Sequence, residues 1–395
     1  MRAFDAVVVG AGPAGLSAAA ELAAAGASCL LVDAGPPADA RRRDDPRELL
    51  AGVGGAGLFS DGKHSFYPSA TRLWALPDRD LLAGAFAATA ELLARYGVAA
   101  GPFPDAPPPV LGAGAWQAKP YPSLYVPFAE RQACIAELWS ACPERWTGAH
   151  VIDAERVGER SVLVIERDSA VMHVAAAHVV VATGRWSPRW IRSWLGKLDA
   201  LFAFQRSELG VRLEGTAGHP LFSRLPGVDG KLVLRDATSE IRTFCTCRDG
   251  EVVLGRAHGL AAYSGRADGP PTGRSNVGLV VRTTELALPL PTAAPRSFAL
   301  AEWTHAGYLA PDLGLAAAEA LWHALERIRE LAPLDGDIRV YTPAIEGVGD
   351  YPADDGALRS APGVWVAGDA CGRFRGIVAS MISGRYVARR IIAAR

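Results

Sequence analysis

Three glycines near the start of the sequence have the spacing G-x-G-x-x-G and follow an apolar run at residues 6–9. In this motif the first glycine allows a tight turn, the second lets a pyrophosphate approach the backbone, and the third lets a helix pack against a strand. The phosphates then lie at a helix N-terminus, where free N–H groups and the helix dipole favour anions. The sequence therefore predicts a dinucleotide phosphate site. Its residues are Gly10, Ala11, Gly12, Pro13, Ala14 and Gly15.

An acidic residue follows at the distance that this motif requires. Asp33 comes directly after the next predicted strand, residues 28–32, and lies 18 residues beyond Gly15. A carboxylate at this point accepts hydrogen bonds from an adenosine ribose and repels a 2′-phosphate. Strand, helix and acid together predict a β-α-β unit in a parallel sheet.

Two later apolar stretches also end in small residues. Residues 179–184 read VVVATG and residues 364–370 read VWVAGDA. Gly368 would admit a long cofactor, and the carboxylate of Asp369 would accept a hydrogen bond from a ribityl hydroxyl. The first stretch would pack beside the same cofactor before the chain leaves for a second domain.

These three elements, in this order, make the chain resemble the FAD-dependent oxidoreductases with a glutathione-reductase-like FAD fold. Residues 52–63 (GVGGAGLFSDGK) and 242–253 (RTFCTCRDGEVV) also resemble segments of the bacterial "FAD-dependent dehydrogenase" family, as do residues 273–276 and 372–377. That family usually has Met where Thr246 stands, and Pro-Gly-Gly after the second cysteine. The resemblance spans nearly the whole chain and implies the cofactor FAD and the fold, but no particular substrate.

The fold class that we expect is α/β, with a discontinuous Rossmann-like FAD-binding domain and an inserted β-rich (α+β) substrate domain. Short β-rich runs between residues 200 and 300, separated by Gly, Pro and Asp, indicate an antiparallel sheet there. The predicted domains are FAD-binding at residues 1–78, 143–200 and 335–395, a helical, proline-rich insertion at 79–142, and the substrate domain at 201–334. The predicted long helices cover residues 14–25, 79–96, 128–141, 313–331 and 376–393.

The resemblance also implies how other residues would contact the cofactor. Backbone N–H groups of the glycine-rich loop would hold the pyrophosphate or face the isoalloxazine. Those of Gly376 and Ile377, which open a helix, would meet the flavin pyrimidine edge, where a positive helix end favours negative charge. The cofactor contacts expected beyond the first motif and Asp33 are Gly54, Gly55, Ser60, Val151, Thr183, Gly184, Gly368, Asp369, Gly376 and Ile377.

Two residues at the end of that loop are candidates for catalysis. Lys63 is one of only four lysines in the chain, and a cation near the flavin N1–C2 end would stabilise the anionic reduced flavin. His64 would serve as an acid or base near the substrate. The alternatives are an ordinary surface lysine and an ordinary loop histidine.

Cys245 and Cys247 are the cysteines closest together in the sequence. They would form a redox dithiol or contribute to packing and substrate contact, and we expect the second role. A disulfide between alternate residues of a regular strand would be strained. A zinc site is disfavoured because no second Cys/His pair has ligand spacing, and we predict no metal.

Composition bounds the remaining possibilities. The net charge of −1 without basic stripes argues against nucleic-acid partners. No stretch is long and apolar enough to predict a membrane span, and the six scattered cysteines do not form a secreted disulfide framework. We therefore expect a cytoplasmic protein, in which the charged run at residues 41–45 is a solvated loop.

The function predicted from these features is an FAD-dependent oxidoreductase, a dehydrogenase or an oxidase. FAD would take a hydride from a small organic substrate bound between the two domains and pass electrons to oxygen or another acceptor. The one further G-x-G-x-x-G, at residues 52–57, does not follow a predicted strand, which argues against a separate NAD(P) domain. A flavin monooxygenase of secondary metabolism and a flavin-binding protein without turnover are the alternatives. The sequence specifies neither the substrate nor the oligomeric state.

Overall fold

A computed structural model of the chain describes residues 1–108, 116–225, 227–235 and 239–395. The strands, in chain order, are β1 Arg2–Val9, β2 Cys29–Val32, β3 Lys63–Ser65, β4 Gln117–Lys119, β5 Ser123–Tyr125, β6 Glu144–Trp146, β7 Ala149–Val157, β8 Arg160–Arg167, β9 Ala170–Val181, β10 Phe202–Thr216, β11 Lys231–Arg235, β12 Ser239–Cys247, β13 Glu251–Ala257, β14 Leu260–Arg266, β15 Arg274–Thr283, β16 Arg296–Ala299, β17 Arg339–Pro352, β18 Arg359–Ala361 and β19 Val364–Val366. The α-helices are α1 Pro13–Ala24, α2 Gly55–Leu58, α3 Arg79–Ala94, α4 Phe128–Ser140, α5 Pro188–Leu195, α6 Pro220–Ser223, α7 Ala310–Leu313, α8 Leu315–Leu331 and α9 Ile377–Ala393.

The first sheet is mainly parallel and has the strand order β18-β19-β9-β1-β2-β6, with β8 and β7 joined through β9. The last four residues of β1 and the whole of β2 and β19 are apolar and buried, because both faces of the sheet are covered there, as in other parallel sheets. In the register, Val9 pairs with both Val32 and Val181, and Val181 pairs with Val366. The carboxyl ends of β1, β2, β9 and β19 therefore meet at one edge, where open α/β sheets bind ligands.

The second sheet is antiparallel and has the order β16-β17-β10-β15-β12-β11-β4. Helix α8 packs on it and shares a separate apolar core with it. The two sheets confirm the predicted fold class, a parallel nucleotide-binding sheet with an inserted antiparallel sheet.

Sheet membership differs from the predicted domain boundaries at two places. Strand β17 lies in the predicted FAD-binding segment 335–395, yet it pairs with β10 in the antiparallel sheet. Strand β4 lies in the predicted insertion and pairs with β11. The two helices of the insertion pack on helices of the parallel sheet, with α3 against α9 and α4 against α1. The chain thus returns to the parallel sheet only after Pro352.

The predicted long helices are confirmed, with one interruption. The stretch 313–331 is not a single helix, because Gly314 has φ +81° and separates α7 from α8. Among the described residues, no helix combines the length and the hydrophobicity needed to cross a lipid bilayer.

Candidate active site

The glycine turn between β1 and α1 has the geometry that its motif predicts. Gly10 has φ +104°, and its N–H donates to the carbonyl oxygen of Val32 at 2.7 Å. A Cβ on Gly15 would lie 1.8 Å from the carbonyl oxygen of Gly10, so only glycine lets α1 start this close to the turn. Gly12 caps α1 without a side-chain hydrogen bond, and Pro13 takes the first helical position. The N-terminus of α1 therefore offers backbone N–H groups to an anion.

Asp33, just beyond β2, touches this turn directly. Its Oδ2 accepts the N–H of Ala11 at 2.7 Å, and its Oδ1 accepts the N–H of Gly35 at 2.8 Å. Burial raises the pKa of Asp33, although these N–H groups and the charge of Arg41 act in the opposite direction. Each carboxylate oxygen has a further lone pair, so both remain able to accept a ribose hydroxyl.

Arg41 is buried, which corrects the expectation that the whole run at residues 41–45 is solvated. Its guanidinium donates to the carbonyl oxygens of Val53 at 2.8 Å and Gly55 at 2.9 Å, and it lies 4.5 Å from the ring centre of Phe59. Arg41 therefore holds the glycine-rich loop in place beside Asp33. Arg42 and Asp44 of the same run are exposed, and Arg42 pairs with Asp45 and Glu48 within the loop.

The carboxyl end of β19 brings Asp369 close to the start of α9. Its Oδ2 accepts the Nε of Arg375 at 3.0 Å. Its Oδ1 is buried and has no hydrogen-bond partner among the described residues, with the nearest charge on Arg206 at 3.5 Å. Helix α9 begins after Gly376 without a side-chain cap. An orphaned acceptor beside an uncapped helix end fits a ligand that supplies hydroxyl donors and negative charge.

The strand ends open into one cavity of about 1350 Å³, which extends from the glycine turn to the antiparallel sheet. Pockets for drug-sized ligands measure roughly 300–1000 Å³, so this cavity has room for a dinucleotide and a small substrate. All the predicted cofactor residues line it except Ala11, Gly15 and Gly54. Those three shape the turn, where the N–H of Gly54 donates to the carbonyl oxygen of Ala11 at 2.8 Å.

Lys63 lies at the cavity wall, but its ammonium is held by protein groups. Nζ is 2.8 Å from Asp61 Oδ2 and 3.0 Å from Asp229 Oδ1, and it donates to the carbonyl oxygen of Thr246 at 2.6 Å. Burial alone would lower the pKa of Lys63, but the two carboxylates outweigh it and raise the pKa well above the usual value. The structure thus makes Lys63 a fixed, permanently charged centre of a buried network.

His64 does not line the cavity, unlike its neighbours Lys63 and Ser65, so the geometry gives no support to its predicted acid–base role. The ring is buried, and Nδ1 lies 3.3 Å from the carbonyl oxygen of Gly62. Burial lowers the pKa of His64 to about 4. The imidazole of His64 is therefore neutral and enclosed, and its role in β3 is packing.

Two further lysines at the cavity were not singled out in the sequence. Lys119 on β4 and Lys231 on β11 are directly opposite each other in the antiparallel pairing. Burial and the neighbouring Arg242 lower the pKa of both to about 8. Neither forms an ion pair with a described residue, whereas Lys63 and Lys197 do. The rarity of lysine is the one feature of the sequence that points to them: the chain has four lysines, and three of them line the cavity.

Arginines add to the positive charge behind these lysines. Glu208 is fully buried and lies near three of them, with Arg282 at 3.3 Å, Arg206 at 3.7 Å and Arg242 in direct contact. Burial alone would raise the pKa of Glu208, but the guanidinium charges lower it well below its usual range. Glu240 lies 3.4 Å from Arg282 and Asp369 lies 3.5 Å from Arg206, so three carboxylates balance the three arginines and leave the charge of Lys119 and Lys231 without an ion-pair partner among the described residues.

Comparison with known proteins supports the nucleotide site. The sequence profile of the family described as "FAD binding domain" matches residues 5–41, which contain most of β1, all of α1 and β2, and Asp33. The chain binds FAD. The match covers the nucleotide-binding elements alone, and the fold and the geometry of the strand ends agree with it. No curated protein sequence matches the chain.

Solved structures with a similar arrangement are distant in sequence. The anhydrotetracycline hydroxylase from Streptomyces rimosus has 15% identity and a TM-score of 0.42, over 99% of this chain and 62% of its own. A flavoprotein/dehydrogenase from Cytophaga hutchinsonii has 14% identity and a TM-score of 0.47, over 100% and 78%. A geranylgeranyl bacteriochlorophyll reductase-like protein from Thermoplasma acidophilum has 15% identity and a TM-score of 0.44, over 100% and 79%. The chain spans only 61%, 66% and 62% of the length of the first three structures matched.

Proposed function

We propose that the protein is an FAD-dependent oxidoreductase, a dehydrogenase or oxidase that takes a hydride from a small organic acid. The observation that carries this proposal is the opposed pair of Lys119 and Lys231 in the wall of the cavity. Like charges directly opposite each other on neighbouring strands destabilise a sheet. A carboxylate bound between the two ammonium groups would remove that repulsion, and it would raise the pKa of both lysines again.

The substrate carboxylate would be the anchored end of the molecule. Bound FAD supplies a two-electron acceptor at the neighbouring strand ends. The network of Lys63, Asp61 and Asp229 would fix the wall next to it, since every charge in that network already has a partner. The residues that would hold FAD are those of the glycine turn, Asp33, Asp369 and the start of α9.

Several finer predictions belong to this proposal. Membership of the bacterial "FAD-dependent dehydrogenase" family is supported by the segments that resemble it. Oxygen or another small acceptor would reoxidise the flavin, and the protein would work in the cytoplasm. The ribose contact of Asp33 and the ribityl contact of Asp369 are supported by their positions at the cavity.

Anaerobic mixing tests the proposal. The FAD-bound protein is mixed with small 2-hydroxy acids, 2-amino acids and saturated carboxylic acids, each beside its neutral amide. We expect an acid to bleach the oxidised flavin absorbance while its amide does not. Bleaching by the amides alone would contradict the anionic substrate class.

The same experiment separates the proposal from a flavin monooxygenase. A monooxygenase would show no bleaching by substrate alone, and would require a nicotinamide reductant and oxygen. Its product would gain one oxygen atom from labelled O2, as measured by mass spectrometry. That result would replace hydride transfer from the substrate as the reaction.

A further inference from the structure

Cys245 and Cys247 lie at a bulge in β12 that brings their side chains together. From Phe244 to Cys247 the strand advances three residues, while the paired β15 advances two, from Gly278 to Asn276. Cys245 has φ +47°, a left-handed conformation that residues other than glycine rarely adopt. The two sulfur atoms are 3.8 Å apart.

This geometry differs from that of a regular strand. In a regular strand, alternate side chains lie on the same face about 7 Å apart. That separation is the reason why the sequence predicts a packing role for the two cysteines. The bulge replaces that separation with contact between the sulfur atoms. A strained backbone is retained when the surrounding structure enforces it, and such strain concentrates at functional sites. The strain here has one local consequence, which is the approach of two thiols.

Charged groups surround both thiols. Asp61 Oδ2 lies 3.1 Å from Cys245 Sγ and 4.0 Å from Cys247 Sγ. Lys63 donates to the carbonyl oxygen of the intervening residue, and Arg212 Nη2 lies 3.8 Å from Cys247 Sγ. Burial would raise the pKa of the Cys247 thiol, but the hydrogen bond from Cys245 and the charges of Lys63 and Arg212 lower it overall.

The two cysteines differ in access. Cys245 is half-buried and lines the cavity, whereas Cys247 is fully buried behind it. This is the arrangement of an entering thiol that meets a soluble partner and a resolving thiol that completes the bond.

We propose that Cys245 and Cys247 are a reversible dithiol–disulfide couple in the wall of the cavity. This proposal does not depend on the substrate of the flavin reaction. With a low-molecular-weight disulfide as the oxidant, Cys245 attacks one external sulfur, and its proton passes through Asp61 to the first external group, which leaves as a thiol. Cys247 then attacks the sulfur of Cys245, and its proton goes to the second external group, which also leaves as a thiol. The pair loses two electrons and two protons in total, and the two released external thiols carry these electrons and protons away.

A metal ion is the other occupant to consider. Asp61, Cys245 and Cys247 offer ligand atoms within 4.8 Å of one another. The ammonium of Lys63 already lies 2.8 Å from the Asp61 oxygen that faces the sulfurs. Because a dication would meet this fixed positive charge, the geometry favours the thiol couple.

Redox titration of the FAD-bound protein tests the proposal. Samples are equilibrated in buffers of reduced and oxidised glutathione, quenched in acid, and alkylated under denaturing conditions. We expect the count of alkylated cysteines by intact mass to change between six and four in a single two-electron transition. Peptide mapping should place the protected pair at Cys245 and Cys247.

Matched variants make the result specific. Cys245→Ser and Cys247→Ser should each abolish the two-cysteine transition, and Cys247→Ser should accumulate a glutathione adduct on Cys245. The double variant Cys29→Ser/Cys142→Ser changes two other neighbouring, buried cysteines and should keep the transition. The proposal would be overturned by six alkylated cysteines at every glutathione ratio, or by a transition that persists in Cys245→Ser. Protection reversed by a chelator and not by a reductant would assign a metal site instead.

Discussion

The Oδ2 atom of Asp33 accepts a hydrogen bond from the N–H of Ala11 at 2.7 Å, so the acid after β2 and the glycine turn after β1 form one unit. We expect Asp33→Ala to lower FAD affinity by about tenfold to a hundredfold, because a buried, charge-assisted hydrogen bond contributes roughly 1.5–3 kcal/mol. The variant also leaves the N–H of Ala11 unpaired, so the apoprotein should unfold at lower urea. Isothermal titration with FAD measures the first effect.

Asp39→Ala is the matched control for Asp33→Ala. Asp39 is exposed in the same connection and should change neither affinity nor stability. If Asp33→Ala loses stability but binds FAD as tightly as the wild type, Asp33 supports the turn and does not contact the ribose.

The opposed lysines should control the affinity for anions. Lys231→Met removes one charge of the pair, and we expect the dissociation constant of a carboxylate probe such as benzoate to rise about tenfold or more. Lys197→Met is the control, because Lys197 pairs with Asp153 on the surface at 2.7 Å. An equal effect of both variants, or none from Lys231→Met, would show that the pair does not bind carboxylates.

The same pair gives the anion affinity a pH dependence. Both lysines have a pKa of about 8, so they are charged below that pH and lose their charge above it. Benzoate binding should therefore weaken as pH rises from 7 to 9.5, and the double variant Lys119→Met/Lys231→Met should not show this slope. Titrations at matched ionic strength separate the effect from screening.

His64 should make the fold sensitive to acid. Its pKa of about 4 lies below that of an unfolded histidine, so the unfolded state binds more protons between these two values. The stabilising contribution is present above pH 6.5 and is lost as pH falls toward 4, by up to about 3 kcal/mol. Urea unfolding at pH 7 and 4.5 should show a smaller pH effect for His64→Gln than for the wild type.

His323→Gln provides the comparison, because that side chain is 74% exposed. It should follow the wild type at both pH values. Parallel behaviour of His64→Gln and the wild type would mean that His64 titrates normally. His64→Gln should also keep flavin reduction by the substrate, since the ring does not line the cavity.

The sequence predicts those parts of the site that are local in the chain. The glycine turn, Asp33 and the strand end at Asp369 each depend on one strand and the residues after it, and the register of β1, β9 and β19 then brings them together. Apolar runs are sufficient to predict such strands, because burial on both faces leaves a continuous pattern.

The substrate side of the cavity could not be predicted in the same way. Lys119 and Lys231 become neighbours only through the pairing of β4 with β11, more than a hundred residues apart in the chain. The contact between Cys245 and Cys247 depends on a bulge that neither residue type specifies. Burial of Arg41 likewise depends on the loop that folds over it.

Helices α1 and α9 cross in close contact, and this contact positions the N-terminal ends of both helices at the cavity. A Cβ on Gly384 would lie 2.0 Å from the carbonyl oxygen of Ala14, so the backbones of the two helices are in contact. We expect Gly384→Ala to force the helices apart and to lower the free energy of unfolding by about 1–3 kcal/mol. FAD affinity should fall as well, because Ala14 and Ile377 belong to the helix ends at the cavity. Gly196→Ala is the control: Gly196 has φ −62° and open space around it, and the change should alter stability by less than about 1 kcal/mol. Equal unfolding curves for Gly384→Ala and Gly196→Ala would show that the close crossing does not position the site.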